Sequence, residues 1–460
     1  MGEEKILLKD KDFAGAEDIA NAKDMPGSKE TSAGAKGIAA GAKGIAGMDG
    51  SKTNVVISGT GVLAKTVRVS KKRDELYGCS RCGTCLSICP VYKNTLDEGV
   101  SPRGKLSLIE AAANKTLPLT DKLSQKIYTC TMCNYCTKEC PSGVKISELF
   151  RAVRQDLVDS SKYPEILDML KDKIKTAYNI TFDTNQGRLD WLKQIPGITL
   201  SDYVKDTAEV VYFVGCVSSF SPRSFSIPRA ITEIFKRADV DFTLLGEDEW
   251  CCGFPLLSSG MTDAVTSLAL HNIGMVIKKG AKLLITSCPS CFHTWAHEYT
   301  ELTGVKPDFE IMHVSQYLLR LIQEGKIKLN DISVNKAGIK VTYHDPCDLG
   351  RNSGIFEEPR QVIKSIPGID FIELDTNRLQ ANCCGGGGNI ESLNPALSSK
   401  IADAKTDEIF ATKAEIVVSA CQQCERTMNT ALKRKKGEID YKVKVLDIAE
   451  LVLQSMNAEG

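Results

Sequence analysis

At 460 residues with 42% hydrophobic side chains, the chain is long enough for about three domains with sizeable cores. Its 58 basic and 58 acidic residues cancel, which argues against nucleic acid or another polyanionic surface as a partner. There is no secretory signal and no apolar run near the roughly 18 residues of a membrane span, so the expectation is a cytoplasmic protein without a direct span, peripheral on the inner face of the membrane if it serves a membrane chain.

Residues 1–65 read as a flexible Gly/Ala/Lys-rich leader with a near repeat, GAKGIAA then GAKGIAG. Within it Val55 to Ala64 mimics a dinucleotide fingerprint, but no βαβ unit follows and no acidic residue sits in a suitable second strand, so no nucleotide site is assigned.

Residues 66–150 carry two four-cysteine runs, Cys79-Cys82-Cys85-Cys89 and Cys130-Cys133-Cys136-Cys140, each followed by proline. Between them Ser101-Pro102 is a plausible helix start, and Leu106, Ile109 and Ala113 recur at helical spacing. The runs are therefore joined by a helix, in a mostly helical ferredoxin-like module. Three closely spaced cysteines turn to one side of a tight loop. The fourth, before proline, points away and in two-cluster ferredoxins serves the other cluster. That assigns one [4Fe–4S] cubane to Cys79, Cys82, Cys85 and Cys140, and a second to Cys130, Cys133, Cys136 and Cys89. Structural zinc, usually held by separated pairs, fits less well.

Residues 146–205 read as amphipathic helices, with Leu149, Val153 and Leu157 and then Ile166, Leu170 and Ile174 expected on buried sides, and 151–207 as a helical connector. Residues 208–337 and 338–460 then repeat one design. Cys216, Cys251-Cys252 and Cys288-x-x-Cys291 correspond to Cys347, Cys383-Cys384 and Cys421-x-x-Cys424, 131 to 133 residues later. Three strands are expected in each half: 210–214, 242–245 and 283–285 in the first, then 339–343, 371–374 and 416–418 in the second. Helices alternate with them, which argues for parallel α/β layers. The four groups use all 18 cysteines. The fold class is thus α+β and multidomain: a helical two-cluster module followed by two pseudo-two-fold related α/β cysteine-rich domains.

In each half the cysteines fall at strand carboxyl ends, where open α/β sheets place ligands, and the following helices aim their amino ends at the same spot. Five thiolates exceed the need of one cubane. Either an unusual cluster with iron open to substrate sulfur, or a cubane with one spare cysteine, satisfies the spacing. Gly385, Gly386 and Gly387, with Gly388, are expected to let the backbone approach a bulky cofactor. His344, three residues before Cys347, is the candidate for a hydrogen bond to the cluster or for proton delivery. His293 and His297 read as one face of a surface helix, and Trp250 as a core aromatic.

These residues resemble the D-type subunits of heterodisulfide reductase and their relatives, over about residues 75 to 456. The double run, the paired Cys-Cys and Cys-x-x-Cys sets and the segment Tyr343-His344-Asp345-Pro346-Cys347-Asp348-Leu349-Gly350-Arg351 carry the resemblance. It implies one or two further [4Fe–4S] clusters, non-cubane, in the cysteine-rich halves, fed by the two cubanes and splitting a disulfide. The catalytic residues would then be Cys216, Cys251, Cys252, Cys288, Cys291, Cys347, Cys383, Cys384, Cys421, Cys424 and His344. Partners implied are a flavoprotein, a membrane cytochrome-type subunit, or both. Other relatives imply an alternative, electron transfer for a flavoprotein complex with no substrate chemistry on this chain. Gly385 to Gly388 departs from the mixed Ala/Gly loop of the methanogen enzymes, which puts the specific disulfide in doubt.

Overall fold

Among the described residues, eight short strands form two separate four-stranded sheets, and every pairing is parallel. The computed structural model describes residues 68–458, apart from 182, 194, 196 and 334–337; the leader and its dinucleotide-like stretch lie outside the described residues. The first sheet contains β1 (Val210–Phe213), β2 (Phe242–Leu244), β3 (Leu283–Thr286) and β4 (Glu310–His313), in the order β2-β1-β3-β4. The second contains β5 (Ile339–His344), β6 (Ile369–Phe371), β7 (Ile416–Ser419) and β8 (Lys444–Asp447), in the order β6-β5-β7-β8.

Each sheet therefore has four strands where the sequence suggests three. The additional ones, β4 and β8, hide in the sequence because they are only partly buried, β4 at its carboxyl end and β8 at alternate residues, and neither is a continuous apolar run. The strand expected at 371–374 lies a few residues upstream, at Ile369–Phe371, and its residues are only partly buried.

Strand order fixes the site. The chain leaves β1 for β2 on one side and crosses back to β3 on the other. The gap beyond the ends of β1 and β3 is thus a switch point, where parallel sheets open a crevice. Cys216 follows β1, and Cys288 and Cys291 follow β3. Cys347 follows β5, and Cys421 and Cys424 follow β7, in the same relation.

The two halves share one core. Ile231, Ile234 and Phe235 from the first join Ile448, Leu451 and Val452 from the second, while Leu318 and Leu321 join Val362 and Ile363. Helix Ser226–Arg237 packs on Ile448–Asn457, and helix Val314–Gln323 packs on Glu357–Lys364. Each half thus offers the same two helices and receives the other's pair, as a pseudo-two-fold axis requires.

Upstream, helix Pro102–Ala113 starts as the sequence suggests. The Ser101 hydroxyl accepts the Gly104 N–H at 2.9 Å, and proline occupies the first turn. Helix Ile146–Asp159 buries Leu149, Val153 and Leu157. On helix Ile166–Ala177 the expected face is only partly right: Leu167 and Ile174 are buried, while Ile166 is 45% and Met169 52% exposed. That exposed apolar edge faces a cavity described below. A second core joins the upstream helices to the first half, through Leu106, Ile127, Leu149, Phe150 and Val153 against Leu256, Leu257, Met261 and Val265.

Candidate metal centre

The two upstream cysteine runs curl because the same positions of each loop enter the left-handed backbone region. These are Arg81 (φ 59°) and Gly83 (φ 85°) in one, and Met132 (φ 53°) and Asn134 (φ 61°) in the other. An L-residue there costs roughly 1–2 kcal/mol, and such strain persists where the surroundings over-determine it. Cys79, Cys82 and Cys85 line one small cavity together with Cys140. Cys130, Cys133 and Cys136 line another together with Cys89.

The five cysteines of each later set also meet. In the first half the Cys216 thiol contacts Cys251, Cys251 contacts Cys252, Cys252 lies 3.3 Å from Cys291, and Cys291 contacts Cys288. In the second, Cys347 contacts Cys383, Cys383 contacts Cys384, Cys384 lies 3.2 Å from Cys424, and Cys424 contacts Cys421. None of the cysteines is in a disulfide. Hydrogen bonds with Cys251 and Cys291 hold the Cys252 thiol down at about 6, and those with Cys383 and Cys424 hold Cys384 well below its ordinary value. The second residue of each Cys-Cys pair is therefore the hub of its set.

Both sets open on one cavity of about 410 Å³ between the halves, lined by every cysteine of the two sets except Cys383. Pro255, Pro289 and Pro346 form part of its wall, and Ile166, Met169 and Leu170 part of its rim. Asp348 projects into it and is held by Ser290 Oγ at 2.5 Å and Asn352 Nδ2 at 2.8 Å, which ties the first half's Cys-x-x-Cys turn to the loop after Cys347. Cys383 faces elsewhere: its thiol accepts a hydrogen bond from Cys133, a member of the second upstream set. That contact joins the helical module directly to the second cysteine-rich half.

Charge balance points to an anionic occupant. Lys105, Arg154 and Arg351 are 1%, 0% and 3% exposed. Lys105 donates to the Thr129 carbonyl, Arg154 to the carbonyls of Ser258, Ile127, Tyr128 and Cys130, and Arg351 to those of Cys133, Leu379 and Ala381. Among the described residues no carboxylate pairs with any of the three. Their charges lie instead against thiols: Cys89, Cys130 and Cys136 for Lys105, Cys130 for Arg154, and Cys133, Cys347 and Cys383 for Arg351. Buried cations without counter-charge are strongly unfavourable, whereas thiolates gathered around iron and sulfide supply that charge. All-thiolate sets suit iron–sulfur clusters or zinc, but zinc takes four ligands and each later set brings five. The residues fit iron–sulfur groups. In the first half a fourth cation, Arg188, donates to Cys216 Sγ at 3.3 Å and pairs with buried Glu249 at 2.7 Å, and Glu249 in turn accepts the N–H groups of Val214 and Gly215.

Lys105, Arg154 and Arg188 lie outside the cysteine motifs, and Arg351 closes the Tyr343–Arg351 segment without a spacing that marks it as a counter-charge. A trace is visible in retrospect. Arg154 stands four residues after Phe150 and three before Leu157, a charge inside an apolar helical stripe, and Lys105 interrupts the stripe of Leu106 and Ile109 in the same way.

The glycine run has a second partner besides the cavity. Gly386, Gly387 and Gly388 line that cavity. Side chains there would also collide with protein: a Cβ on Gly385 would sit 2.7 Å from the Ser398 carbonyl, one on Gly386 2.8 Å from Thr427 Oγ1, one on Gly387 2.7 Å from the Thr131 carbonyl, and one on Gly388 2.3 Å from the Cys130 carbonyl. Close approach is required, and for Gly387 and Gly388 it is to the helical module's cysteine loop. His293 differs from the expected surface face. A π-helical turn at Thr294–Glu298 brings it near Glu298, itself bonded to Arg151, and onto Ser353 Oγ at 3.2 Å, while His297 stays exposed. Trp250 is half-buried, stacked between Tyr178 at 3.7 Å and His271 at 3.5 Å. His344 is 1% exposed, and burial holds its imidazole down at about 3 and hence neutral.

Comparison with known proteins follows the same division of the chain. Residues 75–144 match the model of the 4Fe-4S dicluster domain, and 210–295 and 341–429 each match that of the cysteine-rich domain. The chain is 33% identical over 404 residues to the D-type subunit of the dihydromethanophenazine:CoB--CoM heterodisulfide reductase of Methanosarcina mazei, covering 84% of this chain and 95% of that protein. It is 27% identical over 430 residues to the EtfAB:quinone oxidoreductase of Syntrophomonas wolfei, covering 83% of this chain and 58% of that one. Among solved structures, a hypothetical protein from Helicobacter pylori superposes with a TM-score of 0.53 at 10% identity, over 85% of this chain and 73% of that one, a likeness of fold alone.

Proposed function

Since the chain belongs to the family of D-type heterodisulfide reductase subunits, we propose that this iron–sulfur oxidoreductase reduces a disulfide in the cavity shared by its two halves. Two [4Fe–4S] cubanes would be held by Cys79, Cys82, Cys85 and Cys140 and by Cys89, Cys130, Cys133 and Cys136. Each five-cysteine set would hold a further, non-cubane cluster. The bound groups would supply single electrons and iron that accepts sulfur; overall, one disulfide, two electrons and two protons give two thiols.

What carries the reading is the single cavity onto which both sets open. A substrate S–S bond has two sulfurs to part, and here two thiol-rich walls face one space of about 410 Å³. The contact of Cys133 with Cys383 supports an order for the electrons: the two upstream sets, then the second half, then the cavity. Apolar rim residues Ile166, Met169 and Leu170 exclude water from the mouth, while Asp348, Ser290 and Asn352 hold the two halves in register.

The alternative, a relay for a flavoprotein with no bond broken here, draws support from the likeness to the EtfAB:quinone oxidoreductase. On either reading a redox partner completes the complex, a flavoprotein, a membrane cytochrome-type subunit or both, and the chain works at the cytoplasmic face. Among the described residues no helix is long and apolar enough to cross a membrane.

Anaerobically purified chain should contain about 16 irons and as many labile sulfides, against about 8 if only the cubanes are present. With a reduced dye it should consume a disulfide and release two thiols, and added thiol should change the EPR signal. Full iron content with no thiol effect and no dye oxidation by any disulfide would leave the relay reading standing instead.

A further inference from the structure

We infer that His344 places an imidazole nitrogen against the metal group of the second five-cysteine set, a contact that the first set lacks. The inference rests on the reading above that this set holds iron and sulfide. It follows from comparing one position in two halves that are otherwise alike.

β5 ends with His344 opposite Ser419, and β1 ends with Phe213 opposite Thr286. Both residues stand three places before the first cysteine of their set, at the switch point. In the first half the position is apolar, and the Phe213 ring packs edge-on against Trp295 at 5.5 Å. In the second it is an imidazole that is 1% exposed, with neither ring nitrogen hydrogen-bonded. A buried polar ring without protein partners is expensive unless a bound group satisfies it.

The neighbouring charges are committed elsewhere. Lys405 pairs with Glu408 at 2.8 Å, and Glu408 also takes Thr376 and Asn382. Asp345 is engaged by Arg360 at 2.7 and 2.8 Å, and Arg351 donates to carbonyls. What remains near the ring is sulfur. A ring nitrogen and the thiols of Cys384 and Cys424 lie within 4.8 Å of one another, a spacing that brackets a metal atom or a bound sulfide. Cys384 is the hub of the second set, and Cys424 lies 3.2 Å from it.

The two sets are therefore chemically unlike despite their matching cysteines. The first takes a guanidinium hydrogen bond on Cys216 from Arg188; the second, with Arg351 near Cys347 and Cys383, takes in addition an imidazole nitrogen next to Cys384 and Cys424. Nitrogen in place of thiolate character, or an N–H donated to sulfur, raises a cluster's reduction potential. The second-half centre loses this on substitution and shifts to more negative potential.

The test uses the full chain, purified without oxygen and labelled with [15N]histidine, examined by pulsed EPR in each redox state where a centre is paramagnetic. Expected is a histidine nitrogen coupling on one signal, of ligand size for iron bonding or weaker for an N–H···S hydrogen bond. It disappears in His344→Phe, which installs the first half's residue, and in His344→Gln, and the midpoint of that signal alone moves negative. Absence of coupling in a labelled wild-type protein with about 16 irons, or coupling that survives either variant, overturns the inference. Iron near 8 would instead overturn the underlying reading, and the inference with it.

Discussion

Arg154→Met will lower the stability of the iron-loaded protein by about 3–5 kcal/mol, and that of the iron-free chain by clearly less. The difference follows from what surrounds the guanidinium. It is fully buried, it donates to the carbonyls of Ser258, Ile127, Tyr128 and Cys130, and it lies over the Tyr128 ring at 4.6 Å. None of these carries a charge. The Cys130 thiolate does when it holds metal. Removing the cation then strips that anion, in a dry site, of one of the two buried cations beside it, Lys105 being the other, a change of the kind worth the figure above. Without iron and sulfide the guanidinium is itself the unfavourable buried charge, and an apolar side chain of similar length relieves it while the four carbonyls lose their donor. Denaturant unfolding midpoints of wild type and variant, each with and without iron, check the difference. Equal destabilisation in the two states would mean that Arg154 acts only as packing for Tyr128 and the Ser258 turn.

The second large effect belongs to Gly388→Ala. Its φ is +63°, and an added Cβ would lie 2.3 Å from the Cys130 carbonyl and 2.7 Å from the Thr131 carbonyl carbon. Left-handed strain of about 1–2 kcal/mol adds to overpacking of about 1–3 kcal/mol. The backbones on both sides are pinned: Arg154 holds the Cys130 carbonyl, and Asn389 holds Pro255 and Ser259 across the halves. The strain can therefore relax only by moving the second half away from the cysteine loop that bears Cys133. Gly354→Ala is the control. Its φ is +78° but nothing lies within 4 Å of the added carbon, so it bears the conformational cost alone. Unfolding midpoints should fall further in Gly388→Ala, and stopped-flow reduction of the second-half signal should slow only in that variant. Equal behaviour of the two glycine variants would show that the glycine run does not set the junction.

Much of this architecture is legible in the cysteines, because metal-ligand spacing constrains a chain more tightly than apolar periodicity does. The β-branched runs before Cys216, Cys288, Cys347 and Cys421 read as strands for the same reason: they are buried on both faces. What stays hidden is whatever depends on distant partners. β4 and β8 are partly exposed edge strands with weak patterns. Ile166 and Met169 follow a helical stripe yet face a cavity that exists only once the halves close. The meeting of Cys133 with Cys383, 250 residues apart, has no local signature, and the glycines beside Cys384 cannot announce that their neighbour is the loop at Cys130.

The swapped helix pairs between the halves have an evolutionary price. Because Ser226–Arg237 finds its apolar cover on Ile448–Asn457, and Val314–Gln323 finds its own on Glu357–Lys364, neither copy of the ancestral unit keeps a closed interior by itself. Severing the backbone between them would yield fragments that fold only by complementation, as an obligate heterodimer. Two like units interlocked in this way cannot be reduced to one, because each supplies part of the other's interior.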